Sequence, residues 1–187
     1  MIFLKTLMAR LLLATMLLGG AAQAAQQYNI TIDTATLGDG QAYLGLYFLG
    51  LAEAAPASAT VSGLSGALFG PAQLSGPVSG ALPGALTFGN GGDLVQAVNL
   101  GGALSFQVLF TQGSGDAGIT FGWALFNDVS YLGADGDLGT ISLLPGVAPL
   151  VSNFSPLSSV QAVPEPQTVM MLLLGLMCIG WQVRRRR

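Results

Sequence analysis

Through the middle of the chain, apolar and polar residues take turns with a period of two. Tyr28, Ile30 and Ile32 alternate with Asn29, Thr31 and Asp33. Leu104, Phe106, Val108 and Phe110 alternate with Ser105, Gln107 and Thr111, with Leu109 the one exception. Ile119, Phe121, Trp123 and Leu125 share a face opposite Thr120, Gly122 and Ala124. Ala59 and Val61 alternate with Thr60 and Ser62, and Ile141 and Leu143 form a last short example. Successive side chains of a strand point to opposite sides, so each run predicts a strand with one face in a core and the other in water. Residues 43–49 are apolar on both faces, which predicts a central strand covered on each side. Residues 94–98 alone carry a hint of helical period.

Between these runs lie Gly38-Asp39-Gly40, Gly89-Asn90-Gly91-Gly92, Gly113-Ser114-Gly115-Asp116 and Asp135-Gly136-Asp137, all turn chemistry. Residues 56–88 set Pro56, Pro71, Pro77 and Pro83 among Ser, Gly, Ala and Leu, which predicts edge strands interrupted by proline. Leu64-Ser65-Gly66 and Leu74-Ser75-Gly76 echo one another, but no fixed period supports a solenoid. The expected fold is all-β: an antiparallel, jelly-roll-like β-sandwich of about eight to ten strands. It occupies residues 25–152, with an extended stalk at 153–162 that leads into a C-terminal segment at 163–187.

Both ends of the chain break the alternation. Lys5 and Arg10 precede an apolar run at 11–18, and Ala22-Gln23-Ala24 supplies the small-x-small pattern of a signal-peptidase site. Residues 1–24 therefore read as a signal peptide handled by the Sec translocon and signal peptidase, with Ala25 the mature N-terminus. At the other end Val163-Pro164-Glu165-Pro166 leads into an apolar segment, residues 168–183, and then Arg184, Arg185, Arg186 and Arg187. The prolines hold the backbone extended and open to a protease. The apolar segment can enter a bilayer as a transmembrane helix, and the arginines hold its far end in the cytoplasm. At about 16 residues it lies near the lower limit for a spanning helix, which suits a transient inner-membrane anchor. Taken alone, the same elements would also make an ordinary tail anchor with a stop-transfer block.

The ordered trio of Pro-Glu-Pro, apolar segment and arginine block resembles the PEP-CTERM sorting signal of Gram-negative bacteria. Val163, Pro164, Glu165, Pro166, Thr168 and Arg184 to Arg187 carry the resemblance. It implies an exosortase as partner, a membrane protease-transferase that cuts near Pro-Glu-Pro and passes the protein toward the cell surface or extracellular matrix. It also implies a setting of biofilm or exopolysaccharide production. The interior is similar to a group of uncharacterised PEP-CTERM proteins, on Tyr28-Asn29-Ile30-Thr31-Ile32-Asp33-Thr34, Tyr43-Leu44-Gly45-Leu46-Tyr47-Phe48 and Ala59-Thr60-Val61-Ser62. That group carries no activity to transfer.

Charge sharpens the picture once the two terminal segments are set aside. All six cations of the chain, Lys5, Arg10 and the four terminal arginines, lie within those segments. Of the nine carboxylates only Glu165 does; Asp33, Asp39, Glu53, Asp93, Asp116, Asp128, Asp135 and Asp137 belong to the interior. The net charge of −3 thus conceals an interior with carboxylates alone. Without a cation to meet a phosphate backbone, nucleic-acid binding is strongly disfavoured. The only cysteine, Cys178, falls in the C-terminal apolar segment and reads as a small apolar residue there, so the interior has no disulfide. The chain has no histidine and its interior no lysine, which excludes Ser-His-Asp, Cys-His and Schiff-base chemistry. Glu53 is the sole interior glutamate, leaving a carboxylate-based glycoside hydrolase a distant third reading.

No catalytic residue and no certain cofactor are expected. Asp135 and Asp137, across a glycine, offer hard oxygen ligands to which Asp116 or Asp128 can add, so calcium is the one metal in view. Asp33 and Asp39 flank another such turn, yet Asp-Gly is equally the chemistry of a plain hairpin. Tyr43, Tyr47, Trp123 and Tyr131 are candidates for stacking on sugar, Trp123 reading better as core and Tyr131 as surface. The expectation is a non-enzymatic, exported surface or matrix protein; the alternative is a calcium- or glycan-binding surface module.

Overall fold

A computed structural model describes residues 26–54, 56–112 and 118–163, together with Gly175. The signal-peptidase residues Ala22, Ala24 and Ala25, the sorting-signal residues Pro164, Glu165, Pro166, Thr168 and Arg184 to Arg187, and Asp116 lie outside the described residues. Among the described residues, no helix is long and apolar enough to cross a membrane.

The described chain is all-β. Its strands are β1 (Gln26–Asp33), β2 (Gln41–Gly50), β3 (Ala57–Ser65), β4 (Gln73–Ser75), β5 (Val78–Gly80), β6 (Leu86–Phe88), β7 (Gly92–Asn99), β8 (Ala103–Gln112), β9 (Ile119–Phe126), β10 (Asp137–Leu143), β11 (Leu150–Asn153) and β12 (Ser158–Val163). A single 3-10 turn, Ala35–Leu37, sits between β1 and β2. Two six-stranded sheets result: β12-β1-β8-β3-β6-β5, here sheet A, and β11-β10-β9-β2-β7-β4, sheet B. All described pairings are antiparallel, and they are nested: β1 pairs β8, β2 pairs β7 and β3 pairs β6.

The alternating apolar residues make the two inner faces. Ile30, Ile32, Phe106, Val108 and Phe110 of sheet A, and Leu44, Leu46, Phe48, Phe121 and Trp123 of sheet B, join one buried cluster. Phe121 is its hub, meeting Phe88, Phe106 and Phe110 of the opposite sheet edge-to-face at ring-centre distances of 6.3, 6.3 and 5.8 Å. Such edge-on contacts bring the electropositive rim of one ring to the face of the next. The sheets therefore pack inner face to inner face, a β-sandwich-like arrangement. Strand β2, with β7 and β9 as its neighbours, is interior to its sheet as predicted, but it is not covered on each side: Tyr43 and Tyr47 are only half-buried on its outer face and Leu49 is exposed.

Three further expectations are corrected. The hint of a helix at 94–98 is overturned, because these residues lie within β7. Leu94 and Val98, four apart, share a face at either period, and the polar residue between them hides the alternation. That residue, Gln96, is buried, with its amide donating to the carbonyl of Phe69 at 2.8 Å. The stretch 153–162 is not a stalk: Asn153 closes β11, and Ser158–Val163 forms β12 in register along β1, from Ser158 opposite Ile32 to Val163 opposite Gln27. Strands number twelve among the described residues, above the eight to ten expected, since β4, β5 and β11 are too short to show a period.

The proline-broken region 56–88 meets the expectation of edge strands only in part, since it opens with the nine-residue β3, which with β6 lies inside sheet A. It yields the three-residue strands β4, β5 and β6, and β4 and β5 each form the outer edge of a sheet.

Candidate functional site

On the outer side of sheet B three of the four tyrosines, Tyr43, Tyr47 and Tyr131, come near the carboxylates Asp135 and Asp137. On β2, Ala42, Leu44, Leu46 and Phe48 point into the core, so Tyr43, Gly45 and Tyr47 lie on the opposite side. Gly122 of β9 stands directly across from Tyr47. The Tyr47 ring lies over it so closely that a Cβ at Gly122 would fall 2.2 Å from the ring's Cζ. The ring thereby spans β9 and its hydroxyl donates to Asp137 Oδ2 on β10 at 2.5 Å. Burial pushes the Tyr47 hydroxyl well above the usual tyrosine range, and the Asp137 carboxylate that accepts its proton adds to the shift. Tyr43 packs on Phe126 at 5.7 Å, and Phe126 meets Tyr131 edge-to-face at 6.1 Å.

Tyr131 is presented by the loop between β9 and β10. Asn127 shapes that loop, its side-chain oxygen accepting from the backbone N–H groups of Val129 and Ser130 at 2.9 Å each. A bridge between Phe126 and Tyr131 closes it. Tyr131, Gly133, Ala134, Asp135, Asp137 and Phe154 then line a groove of about 660 Å³. Both rings are open to solvent, Tyr131 at 55% and Phe154 at 58% exposure. Ser155 fixes the groove from beneath. Its hydroxyl is buried, donates to the Gly133 carbonyl at 2.7 Å and accepts from the Leu157 N–H at 3.2 Å. Gly133 has φ +84° and no room for a Cβ, which would fall 2.4 Å from Leu157, so this wall needs glycine there.

A second depression, of about 340 Å³, also reaches Tyr47 and is lined by Tyr47, Leu49, Gly91, Gly92 and Asp93. Burial raises the Asp93 carboxyl above the usual range.

The structure brings some of the sequence candidates together and separates others. Tyr131, Asp135 and Asp137 share one groove, and Tyr47 joins them through Asp137. Tyr43 is half-buried against Phe126. Trp123 is wholly in the core, where its indole N–H donates to Ser158 Oγ of β12 at 2.9 Å. Asp128 is exposed in the β9–β10 loop and does not line the groove. Asp33 accepts from the Ala35 N–H at 3.0 Å, a local turn bond. Among the described residues no group of three or more His, Cys, Asp or Glu side chains is placed to hold a metal ion. Phe154 escaped sequence reasoning because it sits in a Pro-, Ser- and Val-rich stretch with no visible period. Its one signal is that it is the sole aromatic in residues 145–163.

Two features thus define the chain: a sandwich-like all-β domain with an aromatic and acidic groove, and a distinct C-terminal segment beyond β12. The family model of the PEP-CTERM protein-sorting motif matches residues 162–186, beginning inside β12 at Ala162. The protein carries the sorting signal of exosortase substrates, which directs an exported protein to the cell envelope or surface. No curated protein and no solved structure matches the chain.

Proposed function

We propose that this is a structural, non-enzymatic protein of the cell surface or extracellular matrix of a Gram-negative bacterium, released to that surface by exosortase cleavage. The carrying observation is the abutment of fold and signal: β12 ends at Val163, inside the matched sorting motif. In this reading the Sec translocon exports the chain, signal peptidase removes residues 1–24, and residues 168–183 anchor it transiently in the inner membrane. The nested pairing β1·β8, β2·β7, β3·β6 supports a jelly-roll-like sandwich as the part delivered. The absence of histidine from the chain and of lysine from residues 25–163 supports a non-catalytic role; exopolysaccharide as the surrounding material is what the resemblance to exosortase substrates implies. The test is cell fractionation of a variant with Pro164→Ala and Pro166→Ala. It is expected to accumulate uncleaved in the inner membrane; wild-type distribution between envelope and medium would contradict the reading.

A second reading, a surface binding module, is favoured by one observation. The groove leaves two aromatic rings in water beside two carboxylates, instead of burying them.

A further inference from the structure

We infer that the groove between the β9–β10 loop and the turn after β11 is a binding site for neutral, hydroxyl-rich glycan chains; the inference rests on the binding-module reading. Sugar rings present two chemistries, a C–H face and a rim of hydroxyl groups. The groove offers a partner for each. Tyr131 and Phe154 are more than half exposed and come from separate loops, so their faces can pack on the apolar side of a pyranose ring. Asp135 and Asp137, in the same groove, are acceptors for hydroxyl donors.

The site is built rather than incidental. Tyr47 holds Asp137 by its hydroxyl, and the buried Ser155 hydroxyl fixes the Gly133 wall against the turn that carries Phe154. A ligand entering here meets an Asp137 carboxylate held by Tyr47 and a Tyr131 ring packed on Phe126, which lowers the ordering cost of binding.

Charge selects among glycans. Between Ala25 and Val163 there is no Lys, Arg or His, so nothing in the groove or around it can neutralise a uronate, sulfate or phosphate. The two groove carboxylates repel such groups, which leaves neutral chains as the ligand class. Calcium, which can bridge a carboxylate to an anionic sugar, lacks a third protein carboxylate near the groove among the described residues.

The test is affinity electrophoresis of the full chain in a non-ionic detergent, through native gels containing hydroxyethylcellulose, galactomannan or soluble starch as neutral probes and alginate as the anionic one. Retardation by a neutral probe is expected. Tyr131→Ala and Phe154→Ala are each expected to weaken it about tenfold. Val129→Ala, in the same loop at 91% exposure but outside the groove, is expected to leave it unchanged. Retardation by alginate alone, lost in Tyr131→Ala, would overturn the neutral-glycan inference while keeping a binding groove. No retardation by any probe, or retardation indifferent to both ring substitutions, would overturn the inference and the binding-module reading together.

Discussion

Gly122 shows how a single missing Cβ organises the outer face of sheet B. Any larger residue there meets the Tyr47 ring, which must lie flat to reach Asp137. Gly122→Ala is therefore expected to cost about 1–3 kcal/mol in a urea titration, the usual penalty of overpacking. In a Tyr47→Ala background the same change is expected to cost much less, and a double-mutant cycle measures the difference. Tyr47 also sets an alkaline limit. Its folded-state pKa is raised by burial and by Asp137, so its contribution to stability is fully present below the unfolded value of about 10 and is lost as pH climbs through the folded one. Ultraviolet titration should find one tyrosine of the four ionising last, and Tyr47→Phe should remove that late step. Asp93 runs the other way at neutral pH. Burial raises its pKa, so its stabilising, protonated state is present below about pH 4 and lost above it. Asp93→Asn is thus expected to raise the melting temperature at pH 7 and leave it unchanged near pH 3.

At the scale of elements, β12 is an edge strand held by more than its ladder to β1. The indole N–H of Trp123 reaches across the sandwich to Ser158. Ser158→Ala strands that buried donor and is expected to cost about 1–3 kcal/mol. Hydrogen exchange should show the loss of protection first in residues 158–163, and a uniform loss across both sheets would count against a local tie. The long strands β1 and β8 were legible from alternation because each has one face in the core and one toward water. β9 was legible because its large apolar residues alternate with Thr120, Gly122 and Ala124, although Gly122 and Ala124 are buried too. β7 was not, since a satisfied Gln96 occupies an inward position. β12 was obscured by its composition: Ser158 takes an inward position to serve Trp123, which leaves Val160 as the one large apolar residue of the strand packed on the core. Of the groove, Tyr131 and the Asp135-Gly136-Asp137 turn could be read from sequence. The tie from Tyr47 to Asp137 could not, because it joins side chains 90 residues apart through strand order.

For the whole molecule, the described fold spans Gln26 to Val163, the matched sorting motif begins at its last strand, and the proposed signal peptide precedes it. The domain's surface charge is carboxylate alone, whereas the cations that orient a chain across a bilayer are confined to the terminal segments. In the proposed processing, removing both segments leaves an acidic sandwich. The central claim is that this removal happens and that exosortase completes it. Intact-mass spectrometry of the protein from its native envelope and medium, in cells with and without the exosortase, tests it most directly. The account predicts a mature species running from Ala25 to near Pro164, present in the first strain and absent from the second. A species that keeps Arg184 to Arg187 in both strains would contradict it and make the protein a permanently anchored one.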